Sequence, residues 1–187
     1  MIDFLKHFER YIKVSDQLKE ELSKRVIFKT FAKGDILHSA DRICNKSYFI
    51  QKGLLRLYFL KDGKEISEYF SCEGDWTNSP RSFIQQKLDI YYIDAIEQTD
   101  VYILEVHDLV FLFNNFPEME RYSRLSMGST FGYLIERITS MRFTTAKEKY
   151  EHFCQVYQGI YHRIPLGMVA SYLGITQETL SRIRAEK

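Results

Sequence analysis

The chain has 187 residues, 45% of them hydrophobic and only three of them proline, a composition that excludes a disordered polypeptide. Its formal charge of +1 excludes a strongly basic protein that coats nucleic acid by bulk electrostatics. Three scattered cysteines (Cys44, Cys72, Cys154), odd in number and without CxxC spacing, exclude a disulfide framework and a zinc ribbon, so a reducing cytoplasm is the expected compartment.

The N-terminal stretch MIDFLKHFERYIKVSDQL carries charges throughout and has no unbroken apolar run, so neither a signal peptide nor a membrane span is expected. Residues 2–24 are predicted helical. Leu5, Phe8 and Ile12 recur at helical spacing, and Ser15-Asp16 caps a second short helix that ends near Lys24. From Val26 the pattern changes to strands. SYFIQKG, LLRLYFL and EISEYF are rich in aromatic and β-branched residues, and Leu55, Leu57 and Phe59 alternate with Arg56 and Tyr58 as in a half-buried strand. KDGK at 61–64 supplies a tight hairpin turn. DIYYIDAI and DVYILEV continue the series to Val106, and turns at Gly34, Gly53, Gly63 and Gly74 punctuate it, which predicts a small antiparallel barrel or jelly roll.

After residue 107 the strands stop. HDLVFLFNNF reads as a short helix, and Pro117 is placed to open a longer one. Within it Met127, Phe131, Leu134, Ile138 and Met141 are spaced 4, 3, 4, 3, an a/d seam suited to a homodimer. The same seam would also serve a helix packed on its own barrel. Gly128 and Gly132 would allow close backbone approach. TAKE at 145–148 matches a capping box, and the helix it opens has Tyr150, Phe153, Cys154 and Tyr157 on one face and ends around Gly159.

The last segment is MVASYLGITQETLSRIR, residues 168–184. Leu166, Val169, Ala170 and Leu173 form one buried stripe on a helix that Pro165 starts. Gly174 ends that helix in a sharp turn, Ile175 plugs the corner, Thr176 caps the next helix, and Leu180 and Ile183 make its inner face. Ala170 is small where the two helices would cross. Together these positions make a helix-turn-helix pattern. A helical hairpin without a nucleic-acid role would share the buried positions but not the outer face, which carries Gln177, Glu178, Ser181, Arg182 and Arg184, with Thr176 and Thr179 beside them. Arginine pairs with guanine, glutamine with adenine, and glutamate accepts from cytosine, so this face suits direct base readout. Residues 118–187 hold ten basic against seven acidic side chains, while the rest of the chain holds sixteen against eighteen, a bias that permits a DNA-facing C-terminus.

Barrel, long helix and helix-turn-helix in this order resemble the Crp-Fnr family of bacterial transcription regulators, over nearly the whole chain. FAKGDILHSADRICNKSYFIQKGLLRLYFLKDGKEISEYFSCEGDW (31–76) looks like the family's sensory hallmark, with Gly34, Gly53 and Gly74-Asp75 at turns, and ASYLGITQETLSRIR looks like its recognition motif. The wording is most similar to members from Bacteroidetes-type bacteria. The resemblance implies an α+β chain: a β-roll sensor with N-terminal helices over 1–116, a connecting and dimerisation helix over 117–143, and a DNA-binding domain over 144–187. It implies a cytoplasmic homodimer on a palindromic operator in double-stranded DNA, with Gln177, Glu178 and Arg182 as principal base contacts, RNA polymerase as a further partner, and a small-molecule effector of unknown identity.

The sequence also departs from the family. In cyclic-AMP-binding members a Gly-Glu pair follows the Gly-Asp turn, its glutamate bonding the ribose, and an Arg-Ser pair about ten residues later grips the phosphate. Here Asn78-Ser79 and Asp89-Ile90 stand in those places, and an aspartate repels a phosphate, so cyclic AMP is not expected to bind in the usual way. PRS at 80–82 comes too early for that grip and reads as a surface turn. Three cysteines do not match the four-cysteine iron–sulfur mode, and none of His7, His38, His107, His152 or His162 is marked by its context as a haem ligand. No cofactor or metal is therefore expected. The chain stops shortly after Arg184, before the β-wing that some members add.

Two other classes compete with this reading. A cupin-like metalloenzyme needs clustered histidine ligands, and residues 26–106 contain only His38, so no enzyme is expected. A ligand-binding or protein-interaction module without DNA binding would not need the polar readout face.

Overall fold

The structure, a computed structural model, describes residues 2–143 and 145–185, and the side chains of all of these except 2, 3, 129, 133 and 140–143. Two short helices, α1 (Ile2–Glu9) and α2 (Asp16–Arg25), precede eight strands: β1 (Ile27–Phe31), β2 (Ile36–His38), β3 (Lys46–Lys52), β4 (Leu55–Lys61), β5 (Lys64–Ser71), β6 (Trp76–Thr77), β7 (Tyr91–Ala95) and β8 (Thr99–Glu105). They form two antiparallel four-stranded sheets, ordered β1-β8-β3-β6 and β2-β7-β4-β5, which face each other as a jelly roll. Helix α3 (Pro80–Gln85) interrupts the strands, and α4 (Val106–Asn115), α5 (Pro117–Phe143), α6 (Ala146–Val156), α7 (Leu166–Leu173) and α8 (Gln177–Ala185) follow them.

Local sequence accounts for most element ends. The Ser15 hydroxyl accepts from the Leu18 N–H at the start of α2. The Asp62-Gly63 turn pairs Lys61 with Lys64. At the start of α6, Thr145 Oγ1 accepts from the Glu148 N–H while the Glu148 carboxylate accepts from the Thr145 N–H, so the expected capping box is formed. One local expectation fails. PRS at 80–82 begins the helix α3 rather than a surface turn, and Ser82 is buried: its Oγ accepts from the Cys44 N–H at 2.9 Å and donates to the Lys87 carbonyl at 2.6 Å.

Three apolar cores are layered across the molecule. The innermost fills the jelly roll with Phe31, Tyr48, Ile50, Leu55, Leu57, Ile93, Ala95, Val101 and Ile103. A second lies outside the first sheet, where Phe4, Phe8, Leu18 and Leu22 of α1 and α2 meet Phe49 and Tyr102, Leu112 of α4, and Met119 and Tyr122 of α5. The third lies outside the second sheet, where Leu54, Phe70 and Ile96 of the barrel pack with Tyr150, Phe153, Tyr157 and Tyr172 of the C-terminal helices. Each sheet is thus covered on its outer side over its central strands, while β1 stays exposed from Ile27 to Thr30.

That covering changes β4. The alternation of Leu55, Leu57 and Phe59 with Arg56 and Tyr58 predicts a strand with one wet face, yet Arg56 and Tyr58 are 2% and 6% exposed, and Phe59 is only half-buried near the hairpin end. Phe70, the strand neighbour of Arg56, packs on Phe153, Tyr157 and Tyr172, so the face expected to be wet is the one the C-terminal helices cover. The buried guanidinium is neutralised there. Asp94 accepts from Arg56 Nε and Nη2 at 3.0 and 2.6 Å, Glu65 accepts from Nη1 at 2.8 Å, and the Tyr58 ring stacks beneath it.

The second core also contains a titratable group. His7 is 7% exposed, its Nε2 is 2.8 Å from the Tyr122 hydroxyl, and burial, reinforced by Arg10, lowers its pKa to about 4. An unfolded histidine titrates near its ordinary value of about 6.5. The unfolded chain therefore takes up a proton first, and stability is lost as pH falls from about 6.5 toward about 4, by roughly 2–3 kcal/mol. Urea unfolding at neutral pH and near pH ~4.5 is expected to reveal this loss. His7→Gln, which cannot titrate but can still hydrogen-bond Tyr122, is expected to flatten that acid limb; an unchanged slope would assign it to another group.

Candidate nucleic-acid interface

Helices α7 and α8 are joined by Gly174, which ends α7 in the left-handed region at φ 67°. Its N–H and that of Ile175 bond back to the Ser171 and Ala170 carbonyls, so the turn is closed by the backbone itself. Val169, Ala170 and Leu173 of α7 are buried against Leu180 and Ile183 of α8, with Leu166 and Ile175 half-buried beside them. Tyr172, absent from the predicted stripe, is buried as well, since it faces Phe70 of the barrel rather than α8. The Thr176 hydroxyl accepts from the Thr179 N–H at 3.2 Å and caps α8 as expected.

The inner face of α8 being buried, its other side is left to solvent. Thr176, Gln177, Glu178, Ser181, Arg182 and Arg184 are exposed, and Thr179 is half-buried. The structure therefore brings all seven residues of the predicted DNA-binding set to one short helix and its cap. The Glu178 carboxyl is held below the usual carboxylate range by its own backbone N–H at the helix start and by the Thr176 hydroxyl, so it remains an acceptor at neutral pH. Gln177 lies across the start of α7 beside Gly167, a contact that periodicity does not signal.

The helix pair is seated on the barrel. The Ser171 hydroxyl donates to the Glu65 carbonyl at 2.9 Å and accepts from the Ser67 N–H at 2.8 Å. Arg163 grips Glu73 at 2.9 and 3.0 Å and also pairs with Glu97. Arg137 of α5 pairs with Glu68 of β5 at 3.2 Å and lies over the Tyr172 ring, so one side chain touches α5, the barrel and α7.

Along α5 the expected seam residues Met127, Phe131, Leu134 and Ile138 are 39–66% exposed, and Ile135 joins them at 48%. This stripe is not packed on the barrel of its own chain, the arrangement that the spacing had left open. The side chain of Met141 lies outside the described residues.

In the barrel, the positions where the resemblance expects a cyclic-nucleotide grip are used internally. Asp89 is 4% exposed; its carboxylate lies 2.8 Å from His38 Nε2 and accepts from the Ile90 and Tyr91 N–H groups. The Asn78 carbonyl accepts from the Tyr69 hydroxyl, and Asn78 Nδ2 donates to Ser47 Oγ. Among the described residues, no three histidine, cysteine, aspartate or glutamate side chains converge as a metal site requires, and no helix is long and apolar enough to cross a membrane.

Neither a protein-family model nor a curated protein matches the sequence. Solved structures do match the fold. A CooA variant from Carboxydothermus hydrogenoformans is 17% identical, with a TM-score of 0.71 over 92% of this chain and 80% of that one. A putative transcriptional regulator of the Crp/Fnr family from Eubacterium rectale is 20% identical, with a TM-score of 0.71 over 95% and 87%. The chain has the Crp/Fnr fold. The CLP regulator of Xanthomonas campestris, described as responsive to c-di-GMP, superposes with a TM-score of 0.74 over 92% of this chain and 91% of that one, at 10% identity. The Crp/Fnr fold accounts for the order of jelly roll, long helix and helix-turn-helix, and these matches cover 92–95% of the chain.

Proposed function

We propose that this protein is a homodimeric, sequence-specific DNA-binding transcription regulator of the Crp/Fnr type, not an enzyme. The observation that carries this reading is the exposed face of α8, where Gln177, Glu178, Ser181, Arg182 and Arg184 stand together on a helix whose other side is buried. The exposed apolar stripe of α5 supports the dimer. In this reading α5 pairs with its copy, each α8 enters a major groove, and the two half-sites lie about one helical turn, ~34 Å, apart. Arg182 offers a bidentate pair to guanine, Gln177 to adenine, and the ionised Glu178 accepts from cytosine N4.

The sensor in this reading does not grip a cyclic phosphate as the cyclic-AMP-binding members do. A buried carboxylate, Asp89, stands in the place of the phosphate-gripping arginine, and it is engaged inside the barrel with His38 and the Ile90 and Tyr91 N–H groups.

Selection of bound fragments from a random duplex pool by the purified protein tests the proposal. A palindromic consensus is expected, and failure to retain any duplex at low salt sinks it. Arg182→Ala is expected to weaken binding to the selected site by ~1–3 kcal/mol and to relax base choice at one position of each half-site. A variant with the wild-type preference profile would remove Arg182 from base readout.

A further inference from the structure

Gly167 sits in the first turn of α7, inside a helix where glycine is a poorer helix former than alanine. Its backbone does not require glycine, since the left-handed glycines of this chain are 34, 53, 63, 74 and 174. What its missing side chain leaves room for is specific. A Cβ at 167 would lie 2.3 Å from Gln177 Nε2 and 3.5 Å from Gln177 Cδ, and no other neighbouring group comes within 4 Å of it. The carboxamide of the first residue of α8 therefore occupies the space that any other residue at 167 would fill.

We propose that Gly167 is a specificity-determining residue that seats Gln177 and so sets how its carboxamide is presented to a base; the inference rests on the DNA-binding reading above. Neither helix can give way to a Cβ. α7 is tied to the barrel through Ser171, and the two helices are locked together by Val169, Ala170, Leu173, Leu180 and Ile183. The yielding part is the exposed Gln177 side chain, which must swing until Nε2 clears the new methyl, a displacement of about 1 Å or more. A bidentate pair with adenine uses both the amide nitrogen and the oxygen at hydrogen-bond distance, and a shift of that size breaks at least one of the two bonds.

The test compares Gly167→Ala, Gln177→Ala and the double variant, each with a thermal melt and a fragment selection. Gly167→Ala is expected to melt at or above the wild-type Tm, because the fold loses nothing and the helix gains propensity. It is expected to bind the wild-type consensus about tenfold more weakly and to lose preference at the position Gln177 reads, while keeping preference at the Arg182 position. Adding Gly167→Ala to Gln177→Ala is expected to change nothing in DNA binding. An unchanged profile for Gly167→Ala overturns the inference and leaves the DNA-binding reading standing. An equal loss in both backgrounds also overturns it, since Gly167 would then act without Gln177. A wild-type chain that selects no duplex overturns the DNA-binding reading itself, and the inference with it.

Discussion

In the proposed homodimer, Phe131→Glu combined with Leu134→Glu is expected to give a monomer and to weaken binding to a palindromic site by ~100-fold or more. Phe131 is 66% exposed and Leu134 39% exposed, in a stripe that Met127, Ile135 and Ile138 extend along α5. An apolar patch of this length on a helix surface gains roughly 25 cal/mol per Å² when a second copy covers it. Two glutamates on each helix would place four charges in that seam and leave them without partners. The DNA effect is larger than the dimer effect alone suggests. In the proposed dimer two linked α8 helices would bind the second half-site at high effective concentration, and a monomer would lose that linkage entirely. Because both side chains are exposed in the single chain, the variant should fold. Sedimentation velocity and a binding titration check the two halves of the expectation, and a variant that remains dimeric would place the interface elsewhere.

Gly53→Ala is expected to cost about 3 kcal/mol or more of folding stability. Gly53 has φ 112°, and a Cβ there would lie 2.4 Å from Thr99 Oγ1, 2.7 Å from Thr99 Cα and 2.8 Å from the Gln98 carbonyl oxygen. Two of these atoms are backbone, so the clash cannot be relieved by a rotamer change; strain at φ adds to it. The neighbouring hydrogen bonds would go with it. The Gly53 N–H donates to Glu73 at 2.8 Å, the same carboxylate that Arg163 grips, and the Leu54 N–H donates to Thr99 Oγ1. The substitution therefore also loosens the seat of the C-terminal helices on the barrel. Urea unfolding measures the loss, and one below about 1 kcal/mol would mean that the Thr99 turn is free to move aside.

Much of this architecture is legible in the sequence. Gly174 following a buried stripe, with Thr176 behind it, specifies a turn between two helices because few other residues accept the left-handed backbone needed there. The polar residues of α8 could be assigned to its outer side once Leu180 and Ile183 marked the inner one. Asp62-Gly63 located a hairpin and Thr145 with Glu148 a helix start, each through bonds made within a few residues. Helix α3 is not legible in this way: its short run PRSFIQ has no apolar period, and its anchor, Ser82, is buried through polar contacts with Cys44 and Lys87 that lie far away or beyond the helix.

The sequence by itself determined most of the elements and their order, the turn at Gly174 and the identity of the residues that α8 turns outward, because all of these follow from side-chain period and from bonds closed locally. Only the tertiary structure decided what lies against what. Periodicity reports that one face of β4 is apolar, but not that a second layer of Phe153, Tyr157 and Tyr172 covers the other face, where Arg56 is buried with Asp94 and Glu65 as its compensating charges. Nor could spacing distinguish a seam packed on its own barrel from the exposed stripe on α5, or reveal that Gly167 is the vacancy into which Gln177 folds. Those facts depend on surfaces brought together from distant parts of the chain, and a local pattern carries no record of its partner.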